Sequence, residues 1–283
     1  MRYLALAALL VGCKSNEPPP APPTTDVVVV AAGAAPQSAL RYAVPKGSKT
    51  TFELSIDWKV TAGAIESALP TIVTTLELAC DDVAPDGSMK LHAKVVDASA
   101  HAREGSKVQP GSIADLLAPL KGITMSLTLA PDGRISQPAI EAGAKPLSSQ
   151  VDQQAKALAA SFQQLAMSLP TAAVGAGAKW RTSRKIQQNG MTLTTVTTVD
   201  VTSLDAGVVG YTLTSEVHGA DQTVTQNGIA VEVKDITGSA QGKGAINLAT
   251  GVTTGELHFD LRSQMSESGS ATPMRLQSDI TVR

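Results

Sequence analysis

Histidine, cysteine and carboxylate side chains could supply acid–base, nucleophilic or metal chemistry, and this 283-residue chain has four histidines and two cysteines. His92 shares its strand face with Lys90 and Lys94, and His258 shares its face with Glu256 and Asp260, so both are expected to face solvent. His101 and His218 fall near predicted strand ends or turns, with no adjacent Ser, Cys or carboxylate motif that would mark a triad. We therefore expect no catalytic residues and a protein that is not an enzyme.

Glu256, His258 and Asp260 place three potential metal ligands on one face of a strand. Neighbours along that face stand about 7 Å apart, because a strand rises about 3.3 Å per residue. None of HExxH, HxH or CxxC occurs, and DDVAPDG lacks the alternating oxygen ligands and terminal glutamate of a calcium loop. These patterns predict no metal site and no cofactor.

Cys80 follows Leu76 and Leu78 in phase, so its side chain is expected to point to the apolar face as a small hydrophobe. A reactive thiol would need exposure and a cationic partner. Gly175 and Gly177 precede a predicted strand rather than a helix, which argues against a phosphate-binding loop in this segment.

Trp180, Thr182, Arg184 and Ile186 share one face of a predicted strand, which places an arginine in phase with apolar residues. If that face lines a cavity, Arg184 could meet a lipid phosphate or a carboxylate. In the alternative, the apolar phase slips at a bulge and Arg184 lies in solvent. Trp180 and Arg184 are therefore candidate ligand-binding residues.

The elements that must position these residues are mostly strands. Seven segments alternate apolar and polar residues, which is the pattern of a strand with one buried face. They are 51–60, 72–80, 91–95, 125–129, 209–217, 257–261 and 274–282. Four turn motifs favour hairpins between strands. These are Asn189-Gly190, Asn227-Gly228, Pro85-Asp86-Gly87 and Pro131-Asp132-Gly133.

Two segments have the features of helices. Residues 112–120 form a short candidate, capped by Ser112 and ending near Pro119. Residues 149–169 form a longer one, which Ser149 begins with a capping-box pattern and Pro170 ends. Its apolar residues fall at spacings of three and four, so they pack as core or cover an apolar groove as a lid. This stripe comprises Val151, Ala155, Leu158, Phe162, Leu165 and Leu169, of which Leu158, Phe162 and Leu165 are further candidate ligand-binding residues.

A weak internal similarity relates residues 74–87 to residues 194–207, which lie 120 positions later. It leaves two possibilities open, a duplicated sheet-forming unit and a chance match in Thr-rich sequence. A duplication would give pseudo-repeats at about 38–145 and 170–283, joined by the helix 149–169.

The N-terminus begins with Met1-Arg2 and an apolar stretch too short to cross a bilayer, which needs about 20 residues as a helix. Leu10-Val11-Gly12-Cys13 resembles the lipobox of bacterial lipoproteins. The resemblance implies cleavage before Cys13, acylation of its thiol and attachment to a membrane through acyl chains. It places the protein in the bacterial cell envelope, and Lys14 is compatible with the outer membrane, which we favour over the inner one.

The chain from Cys13 to residue 37 is rich in proline and alanine and is expected to form a disordered tether. Val27 to Val30 is its one apolar stretch, and the alternative for it is an edge strand. The domains are then a signal peptide at 1–12, a lipidated tether at 13–37 and a single domain at 38–283.

The composition argues against several classes of binding function. A formal net charge of −2 gives no basic surface for nucleic acid. Aromatic residues make up only 3 %, which argues against sugar-binding and base-stacking platforms. We expect a mostly β, α+β domain with a large curved antiparallel sheet, half-barrel-like, and one long and one short helix. In outline it resembles the lipoprotein-carrier and lipid-binding envelope lipoproteins, and the segment 174–180 resembles uncharacterised bacterial lipoproteins.

The expected function is non-catalytic binding of a lipid or another apolar ligand by a membrane-anchored envelope lipoprotein. The alternative is a surface scaffold with a filled core that interacts with an envelope protein partner.

Overall fold

Within the described residues, fourteen strands form one large, open antiparallel sheet, and the structure is mostly β. The computed structural model describes residues 26–136, 138–141, 155, 159, 166–188, 191–226, 229–267 and 270–283. The strands are β1 Asp26–Ala31, β2 Lys49–Ala62, β3 Ile65–Ala68, β4 Thr71–Val83, β5 Met89–His101, β6 Thr124–Leu129, β7 Ala139–Ile140, β8 Lys179–Gln188, β9 Met191–Asp205, β10 Val208–Gly219, β11 Gln222–Gln226, β12 Ile229–Asn247, β13 Val252–Glu267 and β14 Ser270–Val282. The helix α1 spans Pro110–Leu117 and continues as a 3-10 turn at Ala118–Leu120.

The sheet order is β1-β8-β9-β10-β12-β13-β14-β2-β4-β5-β6-β7, with β3 beside β2 and β11 beside β12. All seven predicted strands are confirmed, each within a longer observed strand. Neighbours in the chain pair as hairpins almost throughout, whereas β14 pairs with β2 across more than 200 residues. That non-local pair joins the N-terminal and C-terminal parts into one sheet.

The hairpin motifs are confirmed where the structure describes them. Gly87 and Gly133 have φ of 82° and 86°, the left-handed conformation that closes a type I turn with a glycine bulge. Gln188 pairs with Met191 and Gln226 with Ile229, so two-residue connections join these strands. The Asn-Gly pairs themselves, at 189–190 and 227–228, lie outside the described residues.

Residues 32–48 run across one end of the sheet and are fixed by main-chain hydrogen bonds. Ser38 bonds in both directions with Val174, the N–H of Tyr42 donates to Pro131, and that of Ala43 donates to Leu248. The acceptors belong to segments before β8, after β6 and after β12. This segment therefore connects parts of the sheet that are far apart in strand order.

The predicted tether is wrong for its last part, because residues 26–31 form the edge strand β1 and pair with β8. The edge-strand alternative for Val27 to Val30 is the one observed. Main-chain pairing begins at Asp26, and the described part of the sheet therefore starts before residue 38. Residues 1–25 lie outside the described residues.

The short helix is confirmed, but its predicted cap is wrong. Gln109 is the N-cap and makes no side-chain cap hydrogen bond, and Pro110 occupies the first turn. Proline fits there because the first-turn N–H groups have no partner within the helix. The predicted long helix lies largely outside the described residues, but Ala155 and Ala159 are helical and buried.

The internal similarity falls on equivalent strands. Residues 74–87 include most of β4 and its turn into β5, and residues 194–207 include most of β9 and its turn into β10. Gly87 and Gly207 end these matched segments with nearly the same φ, 82° and 81°. The two segments thus occupy corresponding places in two meanders, β2-β4-β5-β6 and β8-β9-β10-β12.

Candidate apolar binding face

One face of the sheet is apolar across ten strands. A row of directly paired residues crosses from β1 to β5 without a polar side chain. It consists of Val29, Trp180, Val199, Leu213, Gly242, Leu257, Ile280, Ile56, Ile72 and Ala100. The next row lies on the opposite face, since side chains alternate along each strand. That row is polar through Arg181, Thr198, Thr214, Gln241, His258, Asp279 and Asp57.

Burial differs along the apolar face. Trp180 and Val199 are fully buried at one end, and Leu76 and Val95 are fully buried towards the other. Between them large apolar side chains remain half-buried, and we call six of these the central floor. The central floor comprises Ile56, Trp58, Leu213, Leu257, Phe259 and Ile280, on β2, β10, β13 and β14.

Small residues on β12 allow the central floor to form. Gly238, Ala240, Gly242 and Gly244 follow one another on the apolar face of this strand. A Cβ at Gly242 would lie 3.1 Å from Leu257 Cδ1 and 3.4 Å from Leu213 Cγ. The two leucines therefore lean over Gly242 from both sides and make a continuous aliphatic surface.

A second row on the same face carries hydroxyl groups. From β8 to β2 it contains Thr182, Thr197, Ser215, Ala240, Phe259, Ser278 and Trp58, each paired directly with the next. We call Thr182, Thr197, Ser215 and Ser278 the hydroxyl row. The buried apolar residues of the face fall into two separate clusters. The larger includes Trp180 and Tyr211, the smaller includes Val217 and Leu261, and the hydroxyl row runs between them.

The hydroxyls of this row differ in their hydrogen bonding. Thr197 Oγ1 and Ser215 Oγ lie 2.7 Å apart and bond to each other. Ser278 is only 5 % exposed, and among the described residues its Oγ is the buried side-chain polar atom that has no hydrogen-bond partner. Its cross-strand neighbours are Phe259 and Trp58.

The candidate strand residues lie where the alternation predicted. No register shift occurs between Lys179 and Gln188, so the bulge alternative is wrong and Arg184 shares the apolar face with Trp180. Arg184 is half-buried, burial lowers the pKa of its guanidinium, and Nη2 donates to Ser168 Oγ at 3.0 Å. Trp180 has no exposed surface, which makes it a packing residue of this face.

The remaining candidates lie outside the described residues. These are Leu158, Phe162 and Leu165 of the predicted helix, and Cys13 of the lipobox. Ala155 and Ala159, of which only Ala155 is a member of the predicted stripe, pack into the larger apolar cluster.

Groups that could do chemistry are dispersed. His258 Nδ1 pairs with Asp279 Oδ1 at 2.6 Å and His92 Nδ1 with Asp81 Oδ2 at 2.8 Å, both on the polar face. Cys80 is buried, as predicted, and burial raises the pKa of its thiol. In the described part of the chain, no three His, Cys, Asp or Glu side chains are grouped closely enough to hold a metal ion.

A pocket of about 550 Å³ lies where residues 34–43 meet the turns after β9 and β12. Its walls are mostly alanine, proline and leucine, with Asp205 and Arg41 as the charged residues. The Arg41 guanidinium already donates to the carbonyl oxygens of Leu40, Pro170 and Thr171. Its main visible role is therefore to hold neighbouring main chain.

Sequence reasoning missed the hydroxyl row, although a signal existed. Ser278 stands in phase with Leu276 and Ile280 on a strand that was predicted correctly. A serine at an apolar phase position is a local inconsistency, and such positions are where a functional group is expected.

Comparison with known proteins found a match to one protein family. Residues 139–253, less than half of the chain, match a family described as a family of unknown function (DUF6263). The match covers β7 to β12 and hence three of the four members of the hydroxyl row, but not Ser278. No curated protein matches the chain significantly. Among the described residues, no helix has the length and apolar character needed to span a membrane.

Proposed function

We propose that this protein is a membrane-anchored lipoprotein of the bacterial cell envelope whose β domain binds an apolar ligand, an acyl chain, without catalysis. The single observation that carries the proposal is the central floor, six large apolar side chains that stay half-buried between the fully buried parts of the apolar face. Six large apolar side chains incompletely covered by the chain itself offer an aliphatic binding surface. The lipobox at Cys13 supports the anchor, and we favour the outer membrane.

A curved, half-barrel-like sheet belongs to this proposal. The indole of Trp180 on β8 donates to the carbonyl oxygen of Ser168, and the N–H of the next residue, Leu169, donates to Asp132 in the turn after β6. Eight strands lie between β8 and β6 in the sheet order, and strands lie about 4.8 Å apart, so a flat sheet would separate these two strands by roughly 43 Å. The contacts that both strands make with residues 168 and 169 support a sheet that curls so that the apolar face is concave.

An acyl chain fits the chemistry of the central floor. The side chains of the central floor are aliphatic or aromatic, and none of them carries a charge. Each methylene of an acyl chain buried there would contribute roughly 0.8 kcal/mol. A chain of this kind could come from a membrane lipid or from the acyl group of a lipoprotein.

The test uses the two tryptophans of the chain. Bromine atoms quench tryptophan fluorescence on contact, so dibromostearate bound on the floor should quench the half-buried Trp58. The full chain carrying Cys13→Ser, which lacks its own acyl group, is titrated beside the same chain with Trp58→Phe. We expect saturable quenching in the first chain and its loss in the second. Absence of quenching, with no lipid found by mass spectrometry of an organic extract, would contradict the proposal.

The anchor is tested separately. Changing Cys13 to Ser should abolish labelling by a fatty-acid analogue and leave the protein unprocessed or released from the membrane. Labelling that persists in Cys13→Ser rules out acylation at this cysteine.

A second candidate function is a scaffold that binds an envelope protein through its sheet edge. The edge strand β1 supports it, because Val28 and Val30 are each 61 % exposed and exposed apolar edge strands readily pair with another chain. A second copy is the simplest occupant, since antiparallel pairing about Val29 would bring Val28 against Val30 of the other copy. Sedimentation equilibrium of the Cys13→Ser chain tests this, with Val28→Lys and Val30→Lys expected to abolish association. A monomer at every concentration would dismiss this form of the alternative.

A further inference from the structure

We infer that the hydroxyl row recognises the ester group of a long-chain acyl lipid and that Ser278 Oγ donates the hydrogen bond to the ester carbonyl oxygen. This inference rests on the proposed function and names the chemical class of its ligand. It is carried by the position of a buried, unpartnered hydroxyl on the binding face.

Ser278 is an exception among the buried polar groups. A buried hydroxyl without a partner loses its hydration and gains nothing in return, so such groups are rare in folded proteins. Ser278 Oγ is this exception among the described residues, whereas Thr197 and Ser215 of the same row satisfy each other. A ligand acceptor placed over the floor would supply the missing hydrogen bond.

The surroundings of Ser278 select a neutral acceptor. Phe259 and Trp58 flank it on the two neighbouring strands. On this face the nearest row positions on β13, β14 and β2 are all apolar. Arg184, the charged residue of the next row, stands on β8, five strands from β14. Neighbouring strands lie about 4.8 Å apart, so Arg184 lies up to roughly 24 Å from Ser278. A carbonyl oxygen therefore fits beside Ser278 better than a phosphate or carboxylate.

The apolar side chains on both sides of the hydroxyl row indicate the chemical nature of the rest of the ligand. Leu257, Ile280 and Ile56 lie on one side, and Leu261, Leu276 and Val60 lie on the other. A ligand with apolar groups on either side of its polar linkage matches this arrangement. A diacylglyceryl group has this composition, whether it belongs to a free glycerolipid or to an acylated cysteine.

The test compares two probes that differ only in the acceptor, 1,2-dioctanoylglycerol and 1,2-di-O-octylglycerol. An ether oxygen is a much weaker acceptor than an ester carbonyl. Titrations follow Trp58 emission in the full chain carrying Cys13→Ser. We expect the ester to bind roughly fivefold more tightly, the ratio that one neutral hydrogen bond typically contributes.

Two variants separate recognition from folding. Ser278→Ala should bind both probes equally, whereas Ser55→Ala, on the polar face of β2, should keep the preference for the ester. Without ligand, Ser278→Ala should melt at the same or a higher temperature, because it removes an unpartnered hydroxyl. A lower melting temperature would show that the hydroxyl already has a partner and would overturn the inference.

The remaining outcomes are distinct. Equal binding of both probes by the parent chain overturns the inference alone, and so does a preference that Ser278→Ala retains. Failure of both probes to bind overturns the proposed function and the inference with it. The acylated wild-type chain identifies the source: weaker binding of added ester there than in Cys13→Ser indicates that its own acyl group occupies the floor, and equal binding indicates a free glycerolipid.

Discussion

The indole Nε1 of Trp180 donates a 3.1 Å hydrogen bond to the main-chain carbonyl oxygen of Ser168. Arg184, four residues further along the same strand, donates to the hydroxyl of Ser168 at 3.0 Å. One strand thus holds Ser168 through both its main chain and its side chain. This double contact fixes the segment before β8 against the apolar face and gives Trp180 a structural role.

Trp180→Phe is expected to destabilise the protein by about 2–4 kcal/mol. The substitution leaves the buried Ser168 carbonyl without this donor and opens a cavity where the indole packed. Urea unfolding followed by circular dichroism measures the change. Trp58→Phe is the matched control, and we expect it to cost less than about 1.5 kcal/mol because Trp58 is only half-buried. Equal losses of unfolding free energy in the two variants would contradict the structural role of Trp180.

Gly244→Ala is expected to destabilise the protein by at least about 2 kcal/mol. Gly244 pairs with Gly255, and a Cβ at Gly244 would collide with the main-chain carbonyl oxygen of Thr254, which cannot move without distorting β13. Gly111→Ala in α1 is the control, since nothing lies within 4 Å of its Cβ position, and alanine is the better helix former. A Gly244→Ala protein as stable as the parent would show that the two strands separate easily at this point.

Alkaline pH is expected to destabilise the protein through its buried tyrosines. Burial raises the pKa of Tyr211 to about 12 from an unfolded value near 10, and burial also raises the pKa of Tyr42. Between those pH values the folded state retains the Tyr211 proton that the unfolded state has lost. Stability therefore falls as pH rises through this window, by about 1.4 kcal/mol per pH unit for each such tyrosine.

Tyr211→Phe removes the titrating hydroxyl of Tyr211. The decrease in the free energy of unfolding with rising pH should then be smaller by about 1.4 kcal/mol per pH unit. Urea unfolding at a series of pH values from 9 to 12 measures it. An unchanged slope would mean that Tyr211 titrates normally in the folded protein.

Cys80 is expected to be chemically inert in the folded protein. Its side chain is buried and burial raises the pKa of the thiol, so the reactive thiolate is scarce at neutral pH. In the Cys13→Ser chain, where Cys80 is the sole cysteine, a thiol reagent should react no faster than the protein unfolds. The same chain in urea should react at once. Rapid labelling under native conditions would place Cys80 in an accessible site.

Local patterns in the sequence determined most of the strands. Alternation from Phe52 to Val60 requires only that neighbouring side chains point to opposite faces, which every extended segment satisfies. The turns at Gly87 and Gly133 followed in the same way from the few residues that accept a positive φ. Cys80 was assigned to the apolar face by phase alone, and the phase was correct. For Arg184 the phase left a bulge open as the alternative, and only the observed register decided between them.

Val27 to Val30 shows where local patterns stopped. Four valines after a proline-rich segment suit a tether or a strand equally, and the choice depended on β8, which lies about 150 residues further along the chain. The cap of α1 was predicted wrongly for a different reason. Pro110 and Ser112 both suit the start of a helix, and the helix begins at the earlier of the two, Pro110.

The sequence by itself determined that the protein has strands with one apolar and one polar face. Only the tertiary structure decided that Ser278 stands between Trp58 and Phe259, that the hydroxyl row separates two apolar clusters, and that the central floor stays half-buried. The physical reason is that alternation is a property of one strand, whereas the partner of each strand, its register and the cover over each face are set by contacts between residues far apart in the chain.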